Sequence, residues 1–201
     1  MNERLKRQLD FIIELDKSKN IIRQNYLCDG SRRENDSEHS WHIAIMIFIL
    51  KEYAPADVNI ERVMEMALLH DVVEIDAGDT YAYDEKAALD KEEREKKAAE
   101  RIFNMLPADQ AAYVRALWDE FEALETSEAL WCKVMDCLQP LLLNYTSGGK
   151  SWGEHQVHEE QVRKRMEPIK KCSAKLYEIV EDIVKKAIDM GKIIPCKNSG
   201  K

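Results

Sequence analysis

The sequence predicts an all-α protein, a single bundle of about seven helices, on three observations. Apolar residues recur at i, i+3 and i+4 through most of the chain, the spacing of one helix face. Only 7 glycines and 5 prolines occur in 201 residues, too few for the turns of a strand-rich architecture. Hydrophobic residues make up 45% and charged residues 34%, enough for a sizeable core under a well-solvated surface.

Residues 3–18 place Leu5, Leu9, Ile12, Ile13 and Leu15 on mostly helical spacing. A polar connection over 18–37, SKNIIRQNYLCDGSRRENDS, has Asp29-Gly30 as its turn signal. Ser37 is suited to cap a helix from about Glu38 to Tyr53, ending before Pro55 and apolar on most sides. Asn59 precedes a helix that runs to Gly78, a natural stop. Residues 84–105 form a solvated helix with i,i+4 pairs Glu92–Lys96 and Glu93–Lys97. Pro107 opens a helix over about 108–124, and 127–145 forms a further apolar one. A last helix runs from about Glu154 to Gly191, kinked near Pro168. The domain is expected over 1–194, with 195–201 as a disordered tail.

The formal net charge of −8 argues against a nucleic-acid polymer or an anionic membrane as partner. The longest apolar run, IAIMIFIL, spans 8 residues, where a bilayer needs roughly 20. Five cysteines without a C-x-x-C pair, and no signal peptide in MNERLKRQLD, place the chain in a reducing cytoplasm.

One stretch stands out. LLHDVVEIDAGDT, residues 68–80, sets His70, Asp71, Glu74, Asp76 and Asp79 directly behind a buried-looking apolar run. Positions i and i+4 share a helix face, so His70 and Glu74 line up with Asp71 beside them. Buried carboxylates are costly unless paired, and a divalent metal satisfies imidazole and carboxylate together. Further ligands are sought on other buried elements. His39 opens the apolar helix, and Asp136 is the acid deep within LWCKVMDCLQPLLL, where Lys133 or an arginine is its alternative partner. His42 is expected in the core or behind the ligands, and His155 and His158 as an exposed pair. GGKS at 148–151 is no phosphate loop, because Asn144 stands where that motif needs glycine.

These residues resemble a known signature. His39, then His70-Asp71, then Asp136 are similar to the H…HD…D pattern of the HD-domain metal-dependent phosphohydrolases, an all-α superfamily. SRRENDSEHSWH and HDVVEIDAGDT resemble the branch containing the bacterial 5′-deoxynucleotidases, and the likeness extends over roughly residues 5–190. The resemblance implies one divalent metal on His39, His70, Asp71 and Asp136, of the set cobalt, manganese, magnesium, zinc, nickel or iron. It implies Glu74 as the catalytic glutamate, Asp79 and the adjoining Thr80 near substrate, and Arg23 as the arginine that orients a phosphate. It also implies a small phosphorylated substrate, a nucleoside or deoxynucleoside 5′-monophosphate, and a homodimer. The deoxynucleotidases carry a tryptophan after that arginine, whereas Gln24 stands here, which bears on the choice of sugar.

The chemistry is coherent on its own terms. A metal with open positions activates water and offsets phosphoryl charge, while Glu74 exchanges a proton. Arg23 would offset the phosphate's charge, with Arg32 or Arg33 as helpers unless these pair with Glu34 at the surface. Trp152 and Lys150, in the 146–153 loop, are expected to close over the site. Two alternatives remain: an HD hydrolase of another small phosphoester, and a metal-stabilised regulatory module without turnover. Glu74 and Asp79 favour the enzyme, because the module needs neither.

Overall fold

In the computed structural model, residues 2–84 and 86–196 are described. Asn2 caps α1 (Glu3–Leu15), its side chain accepting from the Arg4 N–H. A short 3-10 stretch leads into β1 (Ile22–Tyr26), which pairs antiparallel with β2 (Arg33–Asn35). This hairpin occupies the stretch expected to be a polar connection. The difference has a plain cause: in β1 the inward positions are Arg23 and Asn25, while Ile22 is exposed, so the usual apolar-in alternation is inverted.

α2 (Asp36–Ile49) is capped by Asn35 rather than Ser37, through a reciprocal capping box with Glu38. Ser37 instead shares a hydrogen bond with Ser18. α3 (Ile60–Leu69) begins at the cap Asn59, as expected, but stops at Leu69. A turn through His70–Val73 separates it from the single turn of α4 (Glu74–Ala77), which Gly78 ends at φ +75°. The solvated helix is α5 (Lys91–Phe103), shorter than the expected 84–105, and both of its i,i+4 pairs form. α6 (Ala108–Ala123) and α7 (Ser127–Thr146) follow the expected bounds closely. The last expected helix is four: α8 (Lys150–Glu154), α9 (Glu159–Arg165), α10 (Glu167–Cys172) and α11 (Ala174–Asp189).

The protein is therefore all-α apart from one hairpin, but eleven α-helices stand among the described residues where about seven were expected. The surplus arises where functional or special residues interrupt a helix: at His70-Asp71, at Ser173 in extended backbone, and near Pro168. The main core surrounds α7, with Trp131, Met135 and Leu138 buried against Ile43 and Ile47 of α2 and Met66 of α3. A second cluster joins α1, α5 and α6 through Phe11, Ile102, Phe103 and Trp118. Of the expected tail, Pro195 and Cys196 are described, and the Cys196 N–H donates to Glu159. Residues 197–201 lie outside the described residues. No helix is long and apolar enough to cross a membrane among the described residues.

Candidate metal centre

Three helices of the main core present candidate ligands to one point. His39 lies in the first turn of α2, His70 caps α3, and Asp136 lies mid-way along α7, all buried. One donor atom from each lies within 4.8 Å of the others. His39 Nε2 is 3.3 Å and His70 Nε2 is 3.9 Å from Asp136 Oδ1. Asp71 Oδ2 closes the group, 3.0 Å from His70 Nε2 and 3.7 Å from His39 Nε2. The helix break at His70 is what lets consecutive residues, His70 and Asp71, both face this point.

The hydrogen bonds behind the ligands set their tautomers. His70 Nδ1 meets the Ala67 carbonyl at 2.8 Å, an acceptor only, so the ring proton sits on Nδ1. That leaves the buried Nε2 lone pair facing carboxylates, with no hydrogen-bond partner among the described residues. His39 is fixed by Gln139. The Gln139 amide nitrogen donates to Glu34 Oε2 at 2.8 Å, so its oxygen faces His39 Nδ1 at 3.0 Å and must accept from it. His42, behind the ligands as expected, meets the same amide nitrogen at 3.2 Å through Nδ1. Two histidines with fixed Nε2 lone pairs and two carboxylates form a donor set that fits a divalent cation.

The charge state agrees with that fit. Burial disfavours the Asp71 carboxylate, but His70 and Arg23 outweigh it and hold its carboxyl below the usual range. Burial likewise opposes the Asp136 carboxylate, and Lys133, 2.7 Å away, with His39 prevails to keep it ionised. Lys133 is thus Asp136's ion-pair partner as well as its neighbour at the centre. Burial, then the charge of Arg23, lowers His39 to about 4.

A second, acidic group adjoins the first. Asp36, Asp71 and Glu74 each offer an oxygen within 4.8 Å of the others. Arg23 of β1 enters among them: Nη1 is 2.7 Å from Asp71, 3.3 Å from Asp36, 3.8 Å from Asp79 and 3.9 Å from Glu74. Burial, then Asp71, raises Glu74 well above the ordinary glutamate value. Burial also raises Glu34 and Asp36, each to about 7. Glu74 Oε2 is buried without a hydrogen-bond partner among the described residues.

A cavity of about 110 Å³ opens onto these groups, and Arg23, His70, Asp71, Glu74, Asp79 and Thr80 all line it. Asp136 lines it too, and His39 stands directly behind. Thr80 Oγ1 accepts from Arg94 at 3.1 Å. Arg33 is the exception among the expected residues. It lies over the Tyr26 ring at 5.6 Å and pairs with Glu154 at 3.1 Å, and does not line the cavity. The hairpin register sends its side chain outward while Arg23 points in. Arg32 pairs with Glu38 rather than Glu34.

The 146–153 segment is also corrected. Trp152 is 1% exposed in the core, and the Lys150 ammonium donates to the Gly30 carbonyl at 2.6 Å, so neither closes over the cavity. His155 and His158 are both exposed, as expected; His155 also lies against the Tyr81 ring at 4.2 Å and meets Gln24 Oε1 at 3.2 Å. His158 pairs with Ile194 through the backbone. Sequence reasoning missed Gln139, Lys91 and Arg165. Gln139 sits one turn from Asp136 on α7, a usable signal, whereas Arg165 reaches the cavity from a helix that no pattern tied to the others.

A helical bundle with paired histidines and carboxylates between its helices, and a buried glutamate beside them, defines a metal-site class of fold. Comparison with known proteins gives the family. The HD domain profile matches residues 15–177, and the chain belongs to the HD-domain family. A solved structure from Magnetospirillum magnetotacticum, described as a predicted metal-dependent phosphohydrolase, is 50% identical. It superposes with a TM-score of 0.92 over 96% of this chain and 97% of that one. The human 5′-deoxynucleotidase HDDC2 is 28% identical over 135 residues, 67% of this chain and 65% of that protein. A 5′-deoxynucleotidase of Yersinia pestis is 29% identical over 60% of this chain and 68% of its own length. The chain thus spans a little under two thirds of the human relative's length.

Proposed function

We propose that the protein is a metal-dependent phosphomonoesterase, releasing phosphate from nucleoside or deoxynucleoside 5′-monophosphates, with residues 1–194 as its catalytic domain. The observation that carries the reading is the orphaned His70 Nε2, held towards Asp71 and Asp136 beside a buried, partnerless Glu74 carboxylate oxygen. Relatives named 5′-deoxynucleotidases support the substrate class. A divalent ion on His39, His70, Asp71 and Asp136 would supply Lewis acidity, lowering the pKa of water and offsetting phosphoryl charge.

The chain's own residues do the rest. Glu74, its carboxyl raised by burial and then by Asp71, is suited to exchange a proton with the attacking water, worth about 10²–10⁴ in rate. Arg23 helps hold Asp71 ionised and turns one corner of its guanidinium towards the phosphate. Asp79 and Thr80, side by side at the cavity wall, contact the substrate where phosphate meets sugar. Gln24 lines the same cavity and is anchored by His155. A polar amide there in place of an indole favours tolerance of ribose as well as deoxyribose.

The test is phosphate release from a panel of ribo- and deoxyribonucleoside 5′-monophosphates. The protein is stripped of metal and resupplied separately with cobalt, manganese, magnesium, zinc, nickel or iron. Metal-dependent release that vanishes in Glu74→Ala, with metal still bound, is the expected result. No release from any monophosphate with metal demonstrably bound would sink the substrate class and leave another phosphoester or a regulatory module.

Two further readings belong with it. Trp41, Ile45, Phe48 and Ile49 form an exposed apolar stripe on α2, 41% to 63% accessible, and we place a second copy of the chain against it. Sedimentation should give twice the monomer mass, and Phe48→Asp should return it to one. The five cysteines are free, which suits a cytoplasmic setting.

A further inference from the structure

Four cationic side chains line the cavity: Arg23, Lys91, Lys133 and Arg165. Three are already matched by carboxylates. Arg23 is 2.7 Å from Asp71, Lys133 is 2.7 Å from Asp136, and Lys91 is 3.3 Å from Glu95. Arg165 differs. Its nearest carboxylate oxygen, Asp136 Oδ1, is 4.0 Å away, and its guanidinium makes no hydrogen bond among the described residues. Yet its side chain is only 21% exposed. A guanidinium carries five N–H donors; among the described residues none of those of Arg165 is spent on a protein acceptor, and none is among the buried unpartnered atoms, so they keep water in reach and are open to an incoming acceptor.

The surroundings explain why Arg165 stays there. It ends α9, whose Val162 and the following Met166 are buried in the main core, so the backbone is fixed while the side chain lines the cavity. The contrast with Arg23 is one of charge. Four carboxylates lie within 3.9 Å of Arg23 Nη1, so a dianion arriving there meets an arginine whose charge is already offset. Arg165 has a single carboxylate oxygen near it, Asp136 Oδ1 at 4.0 Å, and its guanidinium lines the same cavity.

We propose that Arg165 is the main side-chain anchor of the substrate's phosphate, gripping two of its oxygens with the guanidinium fork, while Arg23 contributes a single corner. The proposal rests on the phosphomonoesterase reading, and inorganic phosphate as a probe separates the two. A phosphate bound near the metal and to this fork has its charge met from both sides, with Lys133 adding a second positive charge behind.

The experiment is calorimetric titration of the metal-loaded protein with inorganic phosphate, for wild type, Arg165→Gln and Arg165→Lys, with metal content measured on each. Arg165→Gln is expected to weaken phosphate on the order of 10- to 100-fold at unchanged metal stoichiometry. Arg165→Lys should recover part of that loss, because a point charge remains but the fork does not. If the glutamine variant fails to fold, the intermediate affinity of the lysine variant carries the test. Phosphate affinity within twofold of wild type in both variants overturns the proposal, as does a wild type that binds no phosphate. Loss of metal together with phosphate also overturns it, making Arg165 a support for Asp136. A wild type that binds phosphate through Arg165 but hydrolyses no nucleotide would leave this subsite standing and remove the nucleotidase reading. Nucleotide hydrolysis with an unaltered KM in Arg165→Gln would do the reverse.

Discussion

The wall of the cavity that carries His39, His70 and Asp136 is cut from α2, α3 and α7, whose backbones are locked in the main core. The opposite wall is a five-residue strand whose inward positions are polar, with Arg23 and Asn25 pointing at the helices. On the first wall, apolar packing fixes the backbone, and one hydrogen bond behind each histidine fixes the ring. On the second, nothing apolar holds the inward side chains, and a lattice of charges does so instead: Arg23 among Glu34, Asp36, Asp71, Glu74 and Asp79. Burial by packing tolerates few charges, so the polar wall depends on every partner being present.

Glu34 and Gln139 couple the two walls. Glu34 Oε1 lies 3.5 Å from Arg23 Nε, and Glu34 Oε2 accepts from Gln139, whose oxygen holds His39. Breaking that link is the sharpest test of the comparison. Gln139→Leu should leave His39 in place but free its ring to take the other tautomer, lowering metal affinity about 10- to 100-fold. Competition with a chelating dye measures it. Unchanged affinity would mean that packing alone orients His39 and that the walls are independent.

The smaller effect is one of pH, and it separates the two histidines. In the metal-free protein, burial and then Arg23 bring His39 down to about 4, so metal meets it already neutral. His70 goes the other way: burial opposes its charged form, but Asp71 outweighs burial and raises it above 6.5. Below the raised His70 value, metal must therefore displace the Nε2 proton of His70 and none from His39. Affinity is expected to fall about tenfold per pH unit below the raised His70 value, the slope of one proton. Stability of the metal-free fold runs with opposite signs at the two residues. The His70 contribution is fully present below 6.5 and lost as pH rises through its raised value. The His39 contribution is present above 6.5 and lost as pH falls towards 4. A two-proton slope in metal affinity would show that His39 also charges, and that the Gln139 bridge does not hold it neutral.

The helical wall was largely legible in the sequence. Local period and composition mark α2, α3 and α7 as buried, and ionisable residues inside such runs, His39, His70, Asp71 and Asp136, need a cation whatever the exact packing. Glu74 follows from its spacing to His70, although the helix breaks between them and the alignment comes from a turn, not a continuous face. The hairpin wall was not legible. A strand with charged residues inside and Ile22 outside reads as a loop, because its pattern serves a site rather than a core.

By itself, then, the sequence determined the helical class, the buried candidate ligands and their likeness to the HD-domain signature, because each rests on short-range spacing and on the cost of burying charge. Only the tertiary structure decided which cations face the cavity. Arg23 and Arg33 stand on paired strands, yet one points into the cavity and the other pairs with Glu154 outside it. Arg165 comes to the cavity from another helix more than a hundred residues away in sequence. Side chains that meet across such distances do so through the packing of whole elements, and no local period records which of them will touch.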